Sequence, residues 1–314
     1  MSNISKQAGL EGYDKYIDMS KVNTENLKDI VNEYTIFGRV SPMQKQELIK
    51  AIKANGHTVA MTGDGVNDVL ALQEADCSIA IASGSDAARN ISQLVLLDSN
   101  FSSMPKIVAE GRRTINNIER SSELFLTKTI FTTILAILFV FISMPYPFRP
   151  IQISLISAVT IGIPSFVLAL QPNKARVKGH FLRNVLTRAL PTSLTMVCNI
   201  ILALVFSQIF ALNSGVYTTM CIILTAITGF TLILKLCKPF NLLRIVLCIF
   251  IIAVFLIEIL VLKDLFYIST LSLKELILLG SLIAISEAIY ILFYYFMKKW
   301  RKYESKRAAA NRNR

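Results

Sequence analysis

Between an apolar run and a helix-forming segment the chain reads Thr62-Gly63-Asp64-Gly65-Val66-Asn67-Asp68, which we call the 62–68 loop. Its glycines permit tight turns and a close approach of the backbone to a ligand. The carboxylates of Asp64 and Asp68 are hard oxygen donors, which suit Mg²⁺ held beside a phosphate group. Asn67 lies near the start of the following helix, whose free N–H groups favour an anion. A polar turn between a strand and a helix is also common for structural reasons alone, and that is the alternative interpretation.

Short apolar runs around the 62–68 loop alternate with helix-forming segments. Strands are predicted at 35–38, 58–61, 78–82 and 93–97, the last three of them buried. Helices are predicted at 23–34, with Asn23-Thr24 as the cap, at 68–72 and at 85–91. This alternation predicts a parallel, doubly wound sheet. A ligand of such a sheet binds at the carboxyl ends of the strands, where Asp64 lies.

A further helix is predicted to begin at Pro42, with Ser41 as its N-cap and Gln44 completing a capping box. Asn55-Gly56 is predicted to end it. Lys45 falls in the first turn of this helix. The ordinary interpretation of a lysine there is a solvated charge.

The 62–68 loop resembles the hinge motif of the P-type ATPases, ion pumps that form an aspartyl-phosphate on a haloacid-dehalogenase-like domain. The resemblance covers essentially the whole chain and is strongest to the bacterial cation-transporting ATPase E subgroup. Three other segments also resemble that subgroup: residues 4–10, 37–45 and 117–129. Val69-Leu70 agrees with it as well, because many other pumps have Ala-Pro at these two positions. The implied fold is an α/β haloacid-dehalogenase-like (Rossmann-like) partial phosphorylation domain followed by an all-α bundle of six transmembrane helices.

The resemblance also implies roles for individual residues. Catalytic roles fall on Lys45, Thr62, Gly63, Asp64 and Asn67, and Mg²⁺ coordination falls on Asp64 and Asp68. Lys45 would contact the aspartyl-phosphate, where a fixed positive charge stabilises the transition state. ATP would be the substrate of the complete enzyme, and Mg²⁺ its cofactor.

Three segments of a complete pump do not occur in this sequence: the nucleophilic Asp-Lys-Thr-Gly-Thr, the nucleotide-binding domain and the Thr-Gly-Glu actuator loop. The chain therefore resembles the C-terminal part of a pump. Without the nucleophile it is expected not to turn over ATP alone. A separate N-terminal half is an expected partner.

The second part of the chain is strongly apolar. Hydrophobic residues make up 53% of the sequence, and the mean hydropathy is +0.53. Six apolar stretches are each near the ~20 residues that cross a bilayer: 123–143, 151–170, 191–211, 216–236, 242–262 and 275–297. The predicted domains are a partial phosphorylation domain (1–103), a stalk helix (104–122), the membrane domain (123–297) and a basic tail (298–314).

The basic residues track the ends of the apolar stretches. The net charge is +12, but Lys and Arg concentrate in alternate loops and in the tail, which disfavours a nucleic-acid binder. By the positive-inside rule both termini face the cytoplasm. A multi-pass protein of a bacterial cell membrane is expected. The five cysteines show no CxxC spacing and are interpreted as reduced packing residues.

Polar residues within the apolar stretches are candidates for an ion pathway. They are Lys128, Thr129, Thr133, Ser157, Thr160, Pro164, Glu258 and Glu287. Lys128 equally fits a side chain that reaches the membrane surface. Gly162 and Pro164 are expected to break their helix and free carbonyl groups. Ile161 stands where the calcium pumps of the family have an acid, so a carboxylate site of that type is doubtful here.

The leading prediction is the C-terminal part of an ATP-driven pump that exports a cation, and the subgroup resemblance suggests Ca²⁺ or another divalent ion. The alternative is a non-catalytic membrane protein, or a split-gene partner that docks on a separate catalytic half. A membrane-anchored phosphatase is disfavoured because that chemistry needs the nucleophilic aspartate too.

Overall fold

The computed structural model describes residues 2–7, 9–22, 27–177 and 179–312, with the backbone alone for 2–3 and 304–312. The chain forms two compact units, which we call the N-terminal unit (1–107) and the helical unit (108–314). The predicted cap at Asn23-Thr24 lies outside the described residues.

The N-terminal unit is built from short strands and helices that alternate along the chain. Its strands are β1 (Tyr16–Asp18), β2 (Ile36–Gly38), β3 (Ala60–Gly63), β4 (Cys77–Ile81) and β5 (Leu94–Leu96). Its helices are α1 (Ser2–Gln7), α2 (Leu27–Glu33), α3 (Pro42–Ala54), α4 (Val69–Glu74) and α5 (Asp86–Ile91). All strand pairings are parallel, as predicted.

The strands do not form the single sheet that the alternation predicts. In the described residues β1 pairs with β2 in one sheet, and a second sheet has the order β3-β4-β5. The central strand β4 is buried over its middle three residues, with Ile79 and Ala80 1% and 0% exposed. The predicted burial of 58–61 and of 93–97 is wrong, because β3 and β5 lie at the edges of this sheet. Thr58 and Ala60 are exposed, and Leu94 and Val95 are 37% and 36% exposed. Apolar composition does not distinguish a central strand from an edge strand.

Helix α3 begins as the sequence predicts. The Ser41 hydroxyl accepts the N–H of Gln44, and the Gln44 side chain accepts the N–H of Ser41. The Gln44 amide also donates to the carbonyl of Met19 at 3.0 Å, so the cap anchors the helix to the segment after β1. Gly56 follows the helix with a φ of 84°, a left-handed conformation that favours glycine.

In the part of the chain that the structure describes, the helical unit contains six helical segments that are long and apolar enough to cross a membrane. They are α6 (Met104–Phe141), the segment 150–169, α9 (Phe181–Ile209), α10 (Ser214–Leu236), α11 (Leu242–Leu260) and α12 (Leu273–Arg312). The predicted stalk and first span are one continuous helix, α6. Helix α9 begins at Phe181, about three turns before the predicted 191, because Pro191 is tolerated inside it. A hydropathy boundary is therefore not a helix boundary.

The predicted break at Gly162 and Pro164 is wrong, because the segment 150–169 stays helical throughout and is only widened at its middle. The segment consists of α7 (Pro150–Ser157), a π-helical turn (Ala158–Gly162) and α8 (Ile163–Ala169). The N–H of Ile163 donates to the carbonyl of Ala158. Pro164 has no N–H to contribute, and the π-helical turn accommodates it without separating the two helices.

Helices α9 and α10 form the centre of the helical unit. On α10, Met220, Cys221 and Ile222 are at most 1% exposed. On α11 the side chains of Leu242 and Leu260 are 79% and 69% exposed. An apolar surface of this kind suits contact with lipid, and the protein is a multi-pass membrane protein.

Candidate functional site

The 62–68 loop is held in a tight turn by the side chain of its last residue. Strand β3 ends at Gly63, and a 3-10 turn over Val66–Asp68 leads into α4. The Asp68 oxygen Oδ2 accepts the N–H groups of Asp64 at 3.3 Å and Gly65 at 3.2 Å. The backbone of the loop is therefore organised around a buried carboxylate, which is 7% exposed.

The other oxygen of Asp68 binds Lys45. The Lys45 ammonium, from the first turn of α3, donates to Oδ1 at 2.6 Å. Burial raises the pKa of Asp68. The hydrogen bonds from Lys45 and from the N–H groups of Gly65 and Asp64 lower it by more, so the pKa lies below its usual value. Lys45 is thus a paired cation whose side chain remains about one third exposed.

Two glycines let backbone and side chains approach one another at this site. A Cβ atom on Gly63 would lie 2.5 Å from the Cβ of Asp68. A Cβ atom on Gly84 would lie 2.7 Å from the carbonyl oxygen of Asp64, and that oxygen accepts the N–H of Ser85 at 2.7 Å. Sequence reasoning missed Gly84 and Ser85. Their signal is the small polar run that follows β4, because parallel neighbours end at one edge of the sheet.

The remaining predicted residues of the loop are less buried than Asp68. Asp64 and Asn67 are exposed and Thr62 is half-buried. Since both oxygens of Asp68 are engaged by protein donors, Asp64 is the carboxylate that fits a magnesium ion here. Mg²⁺ is commonly held by one or two carboxylates together with waters and phosphate oxygens. Within the described ranges no cluster of three or more His, Cys, Asp or Glu side chains could hold a metal alone.

In the helical unit a small cavity lies beside the π-helical turn. Its volume is about 30 Å³, room for about one or two water molecules. Three residues predicted for the ion pathway line it: Lys128, Ser157 and Thr160. Thr127 and Thr132, polar neighbours of Lys128 on the same predicted span, also line it, as does Thr225, which sequence reasoning missed. We call this space the Lys128 cavity.

The hydroxyl groups of the Lys128 cavity donate to their own helices. The Ser157 hydroxyl donates to the carbonyl of Ile153, and that of Thr160 to the carbonyl of Ile156, both at 2.6 Å. Each oxygen therefore keeps lone pairs that can accept a bond or contact a cation. Gly229 of α10 permits the close packing, since a Cβ there would lie 2.6 Å from Thr160 Cγ2.

Other residues predicted for the pathway lie elsewhere. Thr129 and Thr133 are exposed, because they follow Lys128 and Thr132 by one position on α6 and so face another direction. Pro164 is buried outside the lining of the Lys128 cavity.

The two acids are also apart from that cavity. Glu287 accepts the Thr231 hydroxyl at 2.8 Å, and the Glu258 oxygen Oε2 is buried without a partner. In the part of the chain that the structure describes, Lys128 forms no ion pair with either acid.

Comparison with known proteins shows which proteins this chain is similar to. No family model matches the chain. It is 38% identical over 309 residues to the "Probable cation-transporting ATPase exp7" of Streptococcus pneumoniae, covering 95% of this chain and 40% of that protein. It is 50% identical over 182 residues to the "Calcium-transporting ATPase CtpE" of Mycolicibacterium smegmatis, covering 55% of this chain and 23% of that protein. A "Calcium-transporting ATPase" of Bacillus subtilis is 35% identical over 153 residues, 48% of this chain and 17% of that protein.

The chain spans less than half the length of these curated relatives. The six apolar helices are what a membrane-embedded cation transporter needs, so they agree with these matches. By sequence the chain belongs with the P-type cation-transporting ATPases, and it matches the C-terminal part of those longer proteins.

Proposed function

We propose that the chain forms the C-terminal part of an ATP-driven pump that exports a cation, with Ca²⁺ or another divalent ion as its cargo. The observation that carries the proposal is the geometry of the 62–68 loop. Asp68 fixes both the loop backbone and the Lys45 ammonium, while Asp64 stays exposed beside them. Phosphoryl transfer commonly uses a lysine on the phosphate oxygens and a carboxylate that holds Mg²⁺, and Lys45 and Asp64 could supply these two groups.

Each residue of the loop site has a distinct task in this proposal. Lys45 has three N–H donors and uses one on Asp68, so two remain for oxygens of a phosphoryl group. Asp68 positions the Lys45 ammonium through their hydrogen bond. Asp64, with the phosphoryl oxygens, would hold Mg²⁺, which when bound would neutralise charge on the phosphoryl group. Thr62 and Asn67 supply further polar groups on the exposed side of the loop.

The rest of the catalytic centre would come from the N-terminal part of a complete pump. In the described residues β3 pairs on one side only, with β4. Its other edge is a place where a further strand can add. A strand there would complete a haloacid-dehalogenase-like sheet and bring a nucleophilic aspartate to the edge where Asp64 lies.

The cation path is proposed to pass the Lys128 cavity. The π-helical turn and the hydroxyl oxygens of Ser157 and Thr160 support this, because such oxygens can replace part of an ion's hydration shell. Lys128 would repel a bound cation, so its movement or its charge would regulate occupancy. The basic segments support cytoplasmic chain ends, so that the N-terminal unit lies on the side that supplies ATP.

The test is phosphoenzyme formation. The chain, purified alone and then joined to the N-terminal part of the pneumococcal relative, is incubated with ATP, and acid-stable phosphate is counted. We expect phosphoenzyme in the joined protein only. Asp64→Asn should abolish it, while Asp29→Asn, an exposed carboxylate on α2, should leave it unchanged. Normal phosphorylation of the Asp64→Asn protein would refute the role of Asp64, and no phosphorylation in any form would refute the pump.

A further inference from the structure

A second and much larger cavity lies in the helical unit, bordered by α6, α9, α10 and α12. Its volume is about 870 Å³, within the range of small-molecule sites. Among the residues that the structure describes, seven lining side chains are Lys or Arg and one, Glu123, is a carboxylate. We call it the basic cavity. Its excess of positive charge favours an anion.

Glu123, the carboxylate among the described lining residues, already has a cationic neighbour. Arg188 Nη1 lies 3.9 Å from Glu123 Oε2 and 3.6 Å from Oε1 of Glu119. Lys235 is held against aromatic faces, with its Nζ 4.0 Å and 3.5 Å from the ring centres of Tyr290 and Tyr294. These contacts fix part of the wall without consuming its excess of positive charge.

Three lining cations are available to a ligand. They are Lys238, after α10, and Lys298 and Arg301 on α12. In the described part of the chain none of the three lies within ion-pair distance of an acid. Cations gathered around one space repel one another, and a multivalent anion relieves that repulsion. Lys and Arg are the side chains that bind phosphate.

The wall also has an apolar side. Leu232, Leu236 and Met297 line the same space, and Tyr290 is buried beside them. A ligand that carries both phosphate and hydrocarbon matches this combination better than a fully hydrated ion. The charged residues also lie near the ends of apolar helices, where the headgroups of a bilayer are found. Basic pockets between transmembrane helices bind acidic headgroups elsewhere.

We propose that the basic cavity binds the phosphate-bearing headgroup of an anionic phospholipid. The site is independent of the 62–68 loop and of the Lys128 cavity. It would hold α12 to α9 and α10 through a lipid that bridges their cations. The lipid proposal can therefore be tested independently of the proposed pump function.

The test measures lipid binding by the full 314-residue chain in detergent. Binding of cardiolipin, which carries two phosphates, is titrated by native mass spectrometry, with phosphatidylcholine as the neutral lipid. The variant Lys298→Gln with Arg301→Gln should bind cardiolipin about thirty-fold more weakly. The reason is that each basic residue near an anionic headgroup contributes about 1 kcal/mol, and 1.4 kcal/mol is a factor of ten.

Matched variants make the result specific. Lys299→Gln with Arg176→Gln removes the same charge at exposed positions outside the lining and should change binding by less than about twofold. Lys298→Arg with Arg301→Lys keeps the charge and should keep binding. The temperature of unfolding in lipid-free detergent shows whether each variant is folded.

Three outcomes would overturn the proposal. The first is equal binding of cardiolipin and phosphatidylcholine, and the second is an equal loss in the matched control variant. The third is binding of inorganic pyrophosphate, offered as the soluble phosphate probe, without binding of the lipid. That result would assign the cavity to a soluble anion. The lipid proposal would be supported if cardiolipin bound selectively and if only the removal of the charges of Lys298 and Arg301 abolished that binding.

Discussion

Lys45 and Asp68 show how much a single pair of residues determines in the N-terminal unit. Replacing Lys45 by Gln removes the ammonium from a carboxylate that is 7% exposed. Stability at pH 7 should fall by about 1–3 kcal/mol, the usual cost of leaving a buried polar group short of a partner. Hydrogen exchange of the amides of β3 and β4 measures this local free energy.

The same variant should change the dependence of stability on pH. The pKa of Asp68 lies below its usual value, and an unfolded aspartate has a pKa of about 3.9. The stabilisation is therefore complete above the unfolded pKa and is lost as the pH falls through the folded pKa. Lys45→Gln should make this loss on acidification smaller. Some dependence should remain from Asp76, whose pKa the N–H of Val59 lowers.

Lys50→Gln is the control for that experiment. Lys50 lies on the same helix and pairs with Glu47 at 2.9 Å, but both side chains are nearly half exposed. A pair of this kind contributes at most about 1 kcal/mol. Equal losses in the two variants would show that the Lys45 pair is an ordinary surface pair and would contradict its positioning role.

At the scale of elements, the packing of α10 against the π-helical turn depends on one glycine. Gly229→Ala would place a Cβ 2.6 Å from Thr160 Cγ2. Thr160 is β-branched and hydrogen-bonded to the Ile156 carbonyl, so it cannot rotate away freely. We expect a loss of about 1–3 kcal/mol from overpacking, seen as a lower temperature of unfolding in detergent.

Gly280→Ala provides the matched comparison. Gly280 lies in α12, and a Cβ there would meet nothing within 4 Å. Alanine favours a helix over glycine by up to about 1 kcal/mol, so this variant should be neutral or more stable. If Gly229→Ala unfolds at the same temperature as Gly280→Ala, the close contact between α10 and the π-helical turn is not structurally important.

At the scale of the whole helical unit, a buried arginine joins segments that are far apart in sequence. Arg244 Nε donates to Gln171 Oε1 at 2.5 Å, and its Nη1 donates to the carbonyls of Pro239 at 2.6 Å and Cys237 at 3.3 Å. The Asn117 amide of α6 donates to the carbonyl of the same Gln171. The start of α11, the end of α8 and the helix α6 are thus connected by one chain of hydrogen bonds.

Arg244→Met should lower the stability of the helical unit substantially. Methionine keeps much of the volume but leaves three acceptors without their donor, and each buried one costs about 1–3 kcal/mol. The measurement is again the temperature of unfolding in detergent. Arg176→Gln, at an exposed position, should have little effect. An Arg244→Met protein as stable as Arg176→Gln would mean that the connection does not support the fold.

Local chemistry could be predicted from the sequence, and the reason is the short range of the forces. The capping box of Ser41 and Gln44 involves neighbours on one turn, so residue types at fixed spacing were sufficient. The turn at the 62–68 loop was predicted on the same basis. The partners of Asp68 were not, because Lys45 is 23 positions away and only the fold brings it within reach.

The sequence by itself determined where the apolar helices lie, which loop carries the carboxylates and which family the chain resembles, since these follow from composition and from contiguous motifs. Tertiary structure alone decided that Asp68 is engaged while Asp64 is exposed. It also put Lys128, Ser157 and Thr160, but not Thr129 or Thr133, around one cavity. Burial and direction are properties of the packed molecule: they depend on which surfaces meet, and residues distant in the chain set that.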